Sequence, residues 1–216
     1  AGRQVVVTAG GTQEPLDPVR VLTNRSSGKQ GYALAQAALD RGARVCLISA
    51  PTSLPVPVGA DLVRVETAER MKQAVLREIG GADALIMAAA VADFRPMHAA
   101  VDKLKKRDGI PQVELEAAPD ILRAVADLPA EKRPRVVVGF AAESRDLLGN
   151  AAEKLRSKKL DLIAANDISA EGAGFAGETN RVTLLYPDGQ REELPLLSKE
   201  EVAGILLQRV AALLER

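Results

Sequence analysis

The sequence predicts an α/β protein with a doubly wound, mainly parallel sheet, helices on both faces and a C-terminal antiparallel hairpin. Three observations carry that reading. Short apolar runs alternate with amphipathic segments, the rhythm of β–α–β units. The apolar runs are rich in Val, Ile and Ala and hardly alternate with polar residues, so they are buried on both faces. Near the end the rhythm breaks: Arg181–Tyr186 and Glu192–Leu196 flank Pro187-Asp188-Gly189-Gln190, a strong turn signal.

In order, strands are expected at Gln4–Ala9, Arg44–Ser49, Leu62–Glu66, Ala84–Ala88, Arg135–Ala141 and Leu160–Ala165. Helices are expected at about Lys29–Arg41, Ala68–Ile79, Asp120–Ala126, Arg145–Ser157 and Lys199–Leu214. Gly42 supplies the stop of the first helix. The final hairpin, near 181–196, belongs at the edge of the sheet, where it is a candidate dimer contact. The stretch from Met97 to Pro111, with its basic run Lys103-Leu104-Lys105-Lys106-Arg107, reads as a mobile flap.

Composition narrows the function. The 216 residues fit one domain. Lys+Arg and Asp+Glu are 29 each, which leaves no net charge to hold duplex DNA or an anionic membrane. Aromatics are 2%, too few for a base-stacking platform. Cys46 is the lone cysteine and His98 the lone histidine, which argues against a disulfide framework, a histidine-rich metal site and a Ser-His-Asp triad. Cys46 sits between Val45 and Leu47 in a strand and is expected to be buried and inert, and His98 to be incidental. No apolar run is long enough to span a bilayer, and the expected location is cytoplasmic. The chain opens at Ala1 and enters a strand almost at once, which suggests a processed end or a piece of a longer protein.

A dinucleotide-binding fold joins its first strand to its helix through a tight glycine turn. Here Val5-Val6-Val7-Thr8-Ala9-Gly10-Gly11-Thr12 is followed by a long excursion through Glu14-Pro15-Leu16-Asp17-Pro18-Val19-Arg20. The helix opens only after Asn24-Arg25-Ser26-Ser27-Gly28-Lys29-Gln30-Gly31. Amides at a helix start favour phosphate, and Ser26, Ser27 and Lys29 add donors. A serine cap before a small-residue helix explains the same residues without a ligand. The segment is not a P-loop, because Thr23 and Gln30 occupy positions that require Gly and Ser or Thr. Ser49-Ala50-Pro51 ends the second strand with no carboxylate for a dinucleotide ribose.

The fourth strand leaves through Ala88-Ala89-Ala90-Val91-Ala92-Asp93-Phe94-Arg95. Its small residues would let a ligand approach backbone at the carboxyl edge, with Asp93 and Arg95 close by. Phe140, in Gly139-Phe140-Ala141-Ala142-Glu143, could pack on a base or ribose, and Lys154 and Lys158, one turn apart, could reach phosphates. Asn166-Asp167 is most simply a turn.

Taken together, the opening Thr8–Thr12, Glu14–Arg20, Asn24–Lys29, Ala89–Asp93, Lys103–Lys106, Gly139–Glu143 and Asn166-Asp167 cover most of the chain in order. This set resembles the phosphopantothenoylcysteine synthetase domain of bacterial coenzyme A biosynthesis, which usually follows a flavin-dependent decarboxylase domain in one bifunctional protein. The resemblance implies a Rossmann-like fold and a single CTP-binding ligase domain over residues 1–216. It implies 4′-phosphopantothenate and L-cysteine as substrates, Mg²⁺ with the triphosphate and no protein metal ligand. It also implies no flavin in this domain, a fused decarboxylase in the longer chain, a homodimer, and neither nucleic acid nor membrane as partner. Carried over by position, Asn24, Arg20 and Lys103 would serve the chemistry. Gly10, Ser26, Ser27, Gly28 and Lys29 would bind at the helix start. Ala88, Ala89, Ala90, Asp93, Pro119, Asp120, Ile121, Leu122 and Phe140 would form the cytidine pocket, and Lys103, Lys154 and Lys158 would contact the triphosphate.

Two other readings remain open at this level. One is an NADP-dependent oxidoreductase with Arg44 or Arg25 at a 2′-phosphate, though no Tyr-x-x-x-Lys pair supplies its acid. The other is a non-catalytic nucleotide-binding or dimerisation module.

Overall fold

In the computed structural model, residues 2–143, 146–167 and 177–216 are described. The elements run β1 Gln4–Ala9, β2 Gln13–Pro15, β3 Val21–Thr23, α1 Lys29–Leu39, β4 Arg44–Ser49, β5 Ala60–Arg64, α2 Ala68–Glu78, β6 Ala84–Met87, β7 Phe94–Pro96 and β8 Leu115–Ala117. They continue with α3 Ile121–Ala126, β9 Val136–Glu143, α4 Leu147–Ser157, β10 Leu162–Asp167, β11 Thr179–Asn180, β12 Val182–Leu185, β13 Arg191–Glu193, β14 Leu197–Ser198 and α5 Lys199–Leu214.

Eight strands form the main sheet in the order β13-β12-β10-β9-β6-β1-β4-β5. From β5 to β10 every neighbouring pair is parallel, whereas β12 and β13 join antiparallel at one edge. The doubly wound sheet and its C-terminal hairpin are therefore as expected. Burial on both faces explains the apolar runs. Val5, Val7 and Ala9 face a core shared with α1 and α5, while Val6 faces the opposite core with α2, α3 and α4. Truncating a fully buried residue such as Leu206 would cost about 2–5 kcal/mol, set by how far the cavity relaxes.

Local chemistry explains several ends. Thr67 caps α2, Asp120 caps α3, and Ser198 with Glu201 forms a reciprocal capping box on α5. At the end of α1, Ala43 N–H donates to the Ala38 carbonyl at 3.1 Å and Gly42 N–H to Leu39 at 2.8 Å. This is a Schellman closure around the anticipated glycine.

Other boundaries move. The strand expected at Leu62–Glu66 begins at Ala60, because β5 takes its register from β4 with Val45 opposite Ala60. The strand expected from Leu160 begins at Leu162, because Lys159 turns left-handed (φ 49) and Leu160 N–H closes α4 on Leu155 at 2.9 Å. The edge hairpin contracts to Val182–Leu185 and Arg191–Glu193, in register Leu185 to Arg191. Arg145, where the fourth helix was expected to start, lies outside the described residues.

Two small hairpins were not anticipated. β2 and β3 pair across the excursion after β1, and β7 pairs with β8 at the root of the flap. Both are three residues per strand, too short for periodicity to register. Buried Glu14 of β2 accepts the Ala68 N–H at 2.8 Å, placing a carboxylate on the start of α2. That bond, with Gln13 N–H to Glu66 at 2.8 Å, lays the hairpin over the carboxyl edge of the sheet.

Candidate active site

The sheet order reverses between β1 and β6, and the chain leaves both strands at the edge where open α/β sheets bind ligands. Two threonines bolt the exits together. Thr8 Oγ1 accepts the Ala89 N–H at 3.1 Å and Thr12 Oγ1 the Ala92 N–H at 2.9 Å, while Ala90 N–H donates to Gly10 at 2.8 Å. Asn24 Nδ2 donates to the carbonyls of Val91 (3.1 Å) and Ala90 (3.4 Å). The segment before α1 is thereby tied to the exit of β6.

Above these exits lies a cleft of about 1110 Å³. Residues 24–31 form one wall and residues 88–93 the floor. Residues 117–122 with Phe140, Lys154 and Lys158 form the other wall. It brings together Asn24, Ser26, Ser27, Gly28, Lys29, Ala88, Ala89, Ala90, Asp93, Pro119, Asp120, Ile121, Leu122, Phe140, Lys154 and Lys158. Three further candidates stand off the wall. Gly10 lies beneath it: a Cβ on Gly28 would meet the Gly10 backbone at 3.5 Å, and one on Gly10 would meet the Ala50 carbonyl oxygen at 2.9 Å. Arg20 is engaged with Asp17 and Leu104, and Lys103 is exposed on the flap.

Gly28 is the N-cap of α1 at φ 78, no side chain caps the helix, and its first turn carries no acid. Gly28 and Lys29 N–H reach Ser26 and Ser27 Oγ only at 3.4 Å each. The positive end of the helix dipole therefore opens on the cleft with no acid in its first turn, a physical fit for an anion.

At this end the structure adds residues that sequence reasoning did not single out as a group. Lys199 and Asn180 line the cleft and are buried, as is Asn166, while Lys29 pairs with Glu178. Burial, reinforced by the Lys29 charge, lowers the Lys199 pKa. Among the described residues no hydrogen-bond partner meets the buried Asn166 Oδ1 or Asn180 Oδ1, so each has acceptor capacity that a ligand donor could meet. Asn166 was expected in a turn and instead lies in β10, paired in register with Ala142. Asn180 and Lys199 gave no local signal, because the β11–β14 pair and α5 reach the cleft through tertiary folding.

At the opposite wall Lys158 pairs with Asp120, and Lys154 Nζ donates to the Phe140 carbonyl at 2.8 Å. Burial alone would raise the Asp120 pKa, but the Lys158 bond, the Arg123 N–H and the nearby lysines lower it overall. Lys158 caps the end of α4 rather than lying within it. Around Asp17, burial likewise opposes ionisation. The amides of Val19, Arg20 and Leu104 and the Arg20 guanidinium outweigh it and bring the pKa to about 2.

Cys46 is buried in the core, as expected. Burial, with Glu78 and Asp61 nearby, pushes the Cys46 thiol up to about 11. Cys46→Ala should leave any turnover unchanged, and intact protein at pH 8 should resist alkylation by iodoacetamide in a mass assay. His98 is exposed on the flap and does not line the cleft.

Among the described residues no cluster of three His, Cys, Asp or Glu could hold a metal, and no helix is long and apolar enough to cross a membrane. The cleft carries Asp93, Asp120 and Glu153. One or two carboxylates of this kind suit a Mg²⁺ that shares its coordination with substrate phosphates.

A curated relative, the coenzyme A biosynthesis bifunctional protein CoaBC of Bacillus subtilis, is 49% identical over 213 residues, 98% of this chain and 52% of its own length. The protein of the same name from Vibrio vulnificus strain YJ016 is 45% identical over 214 residues, 98% of this chain and 53% of its own. The chain thus spans about half the length of these relatives. Among solved structures, the C-terminal domain of the coenzyme A biosynthesis bifunctional protein CoaBC superposes with a TM-score of 0.83 at 40% identity, covering 99% of this chain and 96% of that one. The model of the DNA/pantothenate metabolism flavoprotein C-terminal domain matches residues 1–214, and the chain belongs to that family.

Proposed function

We propose that this domain joins L-cysteine to (R)-4′-phosphopantothenate at the expense of CTP, within coenzyme A biosynthesis. The observation that carries the reading is that one cleft combines two differently built ends, with Asn24 bonded to the strand exit beside them. The uncapped α1 start, Lys29 and Lys199 suit the phosphomonoester of the acid. Asp93, residues 119–122, Phe140, Lys154 and Lys158 suit a nucleoside triphosphate. The relatives are named for coenzyme A biosynthesis, the setting of this reading.

In this reading the carboxylate of the acid attacks the α-phosphorus of CTP. The bond to the β-phosphate oxygen breaks, giving acyl-cytidylate and pyrophosphate. The cysteine amine then attacks the acyl carbonyl, loses a proton and expels CMP. A carboxylate needs such coupling because oxide is a poor leaving group. Charge moves onto pyrophosphate in the first step, which Lys154, Lys158 and flap Lys103 are suited to offset. Mg²⁺ bound with the triphosphate would neutralise its oxygens. No covalent protein nucleophile is required, in keeping with a buried Cys46.

The proposal extends to a fused flavin-dependent decarboxylase domain in the longer chain, with no flavin in this one, and to a homodimer. The larger exposed apolar side chains lie mostly on β2–β3, β7–β8 and the flap, among them Val19, Phe94, Val101, Ile110 and Leu115. The edge hairpin offers only Leu196 of comparable exposure beside its β13 strand. The dimer face is therefore proposed on the flap side of the molecule.

The oxidoreductase alternative loses its Arg44. That residue opens β4 and so lies at the amino edge of the sheet, opposite the cleft. The deciding assay is pyrophosphate release from CTP, with and without phosphopantothenate. The ligase predicts release only when the acid is present, and phosphopantothenoylcysteine once cysteine is added. CTP binding without release would favour a non-catalytic module, and equal use of ATP would remove the base selectivity.

A further inference from the structure

The flap springs from the rim of the cleft at both roots. Asp93 precedes β7, Ala117 ends β8, both line the cleft, and Ala118 N–H donates to the Asp93 carbonyl at 2.9 Å. Beyond these roots the flap is held by the turn between β2 and β3. Ala100 N–H donates to the Leu16 carbonyl at 2.9 Å. The main attachment is Leu104, whose N–H donates to Asp17 Oδ2 at 3.1 Å and whose carbonyl accepts from Arg20 Nη1 at 3.1 Å.

Both backbone groups of one flap residue are thus taken by a single acid–base pair. The same carboxylate builds the turn itself. Asp17 Oδ1 accepts the N–H groups of Val19 at 2.8 Å and Arg20 at 2.7 Å, and Oδ2 also accepts the Arg20 guanidinium. The Asp17 side chain is wholly buried, so these donors are its solvation. Leu104 lies between Lys103 and Lys105. Pinning it sets where those two cations stand, and the ordering entropy is met on folding instead of on ligand binding.

We infer that Asp17 is the positioning residue of the flap: through Arg20 and Leu104 it holds the flap lysines in place before the nucleotide arrives. This rests on the triphosphate reading of the cleft. Asp17 touches no substrate in this account and acts only through Arg20 and Leu104.

Two variants separate the latch from the fold. Asp17→Asn keeps one oxygen for the turn amides but turns an NH₂ towards the Arg20 and Leu104 donors. Leu104→Pro removes the flap's N–H donor, fixes φ at that position and leaves the buried carboxylate intact. Limited trypsinolysis of the ligand-free protein should cut at Lys105, Lys106 and Arg107 about tenfold faster in both variants, the scale of one lost charge-assisted bond. KM for CTP should rise about tenfold with kcat changed less than about twofold, a split that general destabilisation would not produce. Cleavage rates equal to wild type in both variants would overturn the latch. Faster cleavage with an unchanged KM would overturn the positioning role. A wild-type protein releasing no pyrophosphate from CTP fails the ligase reading, and the cleavage comparison then still decides the latch.

Discussion

Asn24→Asp should lower formation of phosphopantothenoylcysteine by roughly 10²–10³-fold, the usual consequence of losing one preorganised donor at a reacting carbonyl. CTP binding should change far less. The geometry gives a more specific reason than residue type alone. Asn24 Nδ2 donates to the backbone carbonyls of Val91 and Ala90, and one of these bonds is given up when the amide turns to the acyl carbonyl. A carboxylate at this position would face two carbonyl oxygens and be repelled from the strand exit that Asn24 now secures. Residue 24 is exposed, so the fold should tolerate the change. A quench assay measuring CTP-derived pyrophosphate and the cysteine adduct separately would show the second product suppressed more than the first. Unchanged turnover would remove Asn24 from the mechanism.

Gly31→Ala should be the most damaging single methyl group on α1. A Cβ there would stand 2.5 Å from Ala9 Cβ, 2.8 Å from the Thr8 carbonyl oxygen and 2.9 Å from Ala9 Cα. Two of these atoms are backbone, so no side chain can rotate away. Either α1 lifts from β1 or the strand bends. Overpacking of this kind costs about 1–3 kcal/mol. For a chain of this size that lowers Tm by roughly 2–4 °C per kcal/mol. The shift would also carry Gly28 and Lys29 off the cleft wall, so anion affinity should fall with stability. Gly204→Ala is the control: in α5 a Cβ at this position meets nothing within 4 Å. It should be neutral or stabilising by up to about 1 kcal/mol through helix propensity. Calorimetry on both variants checks the contrast, and equal Tm values would contradict the packing account.

The reach of the sequence can be judged residue by residue. The core strands were legible because burial on both faces leaves an unbroken apolar run, a signal contained within six residues of β1 or β4. The helix start at Lys29 was legible because the glycine and serines that shape it are neighbours in the chain. The site was legible in part. Asn24, Asp93, Phe140, Lys154 and Lys158 were named in advance and share one cleft, yet their partners were not foreseen. Lys158 was expected to be available for phosphate and is paired with Asp120, itself the cap of α3. Arg20 was expected near the reacting groups and is engaged by Asp17 and the flap.

By itself the sequence determined the doubly wound architecture, the start of α1 at Lys29 and the burial of Cys46, since each follows from patterns or chemistry among near neighbours. Only the tertiary structure decided which side chains meet. Leu104 reaches Asp17 across 87 positions, and the Lys199 carbonyl reaches Gln30 across 169. Such meetings are set by strand order and register, which bring carboxyl-edge loops together from the whole chain. No window of local residues carries that information.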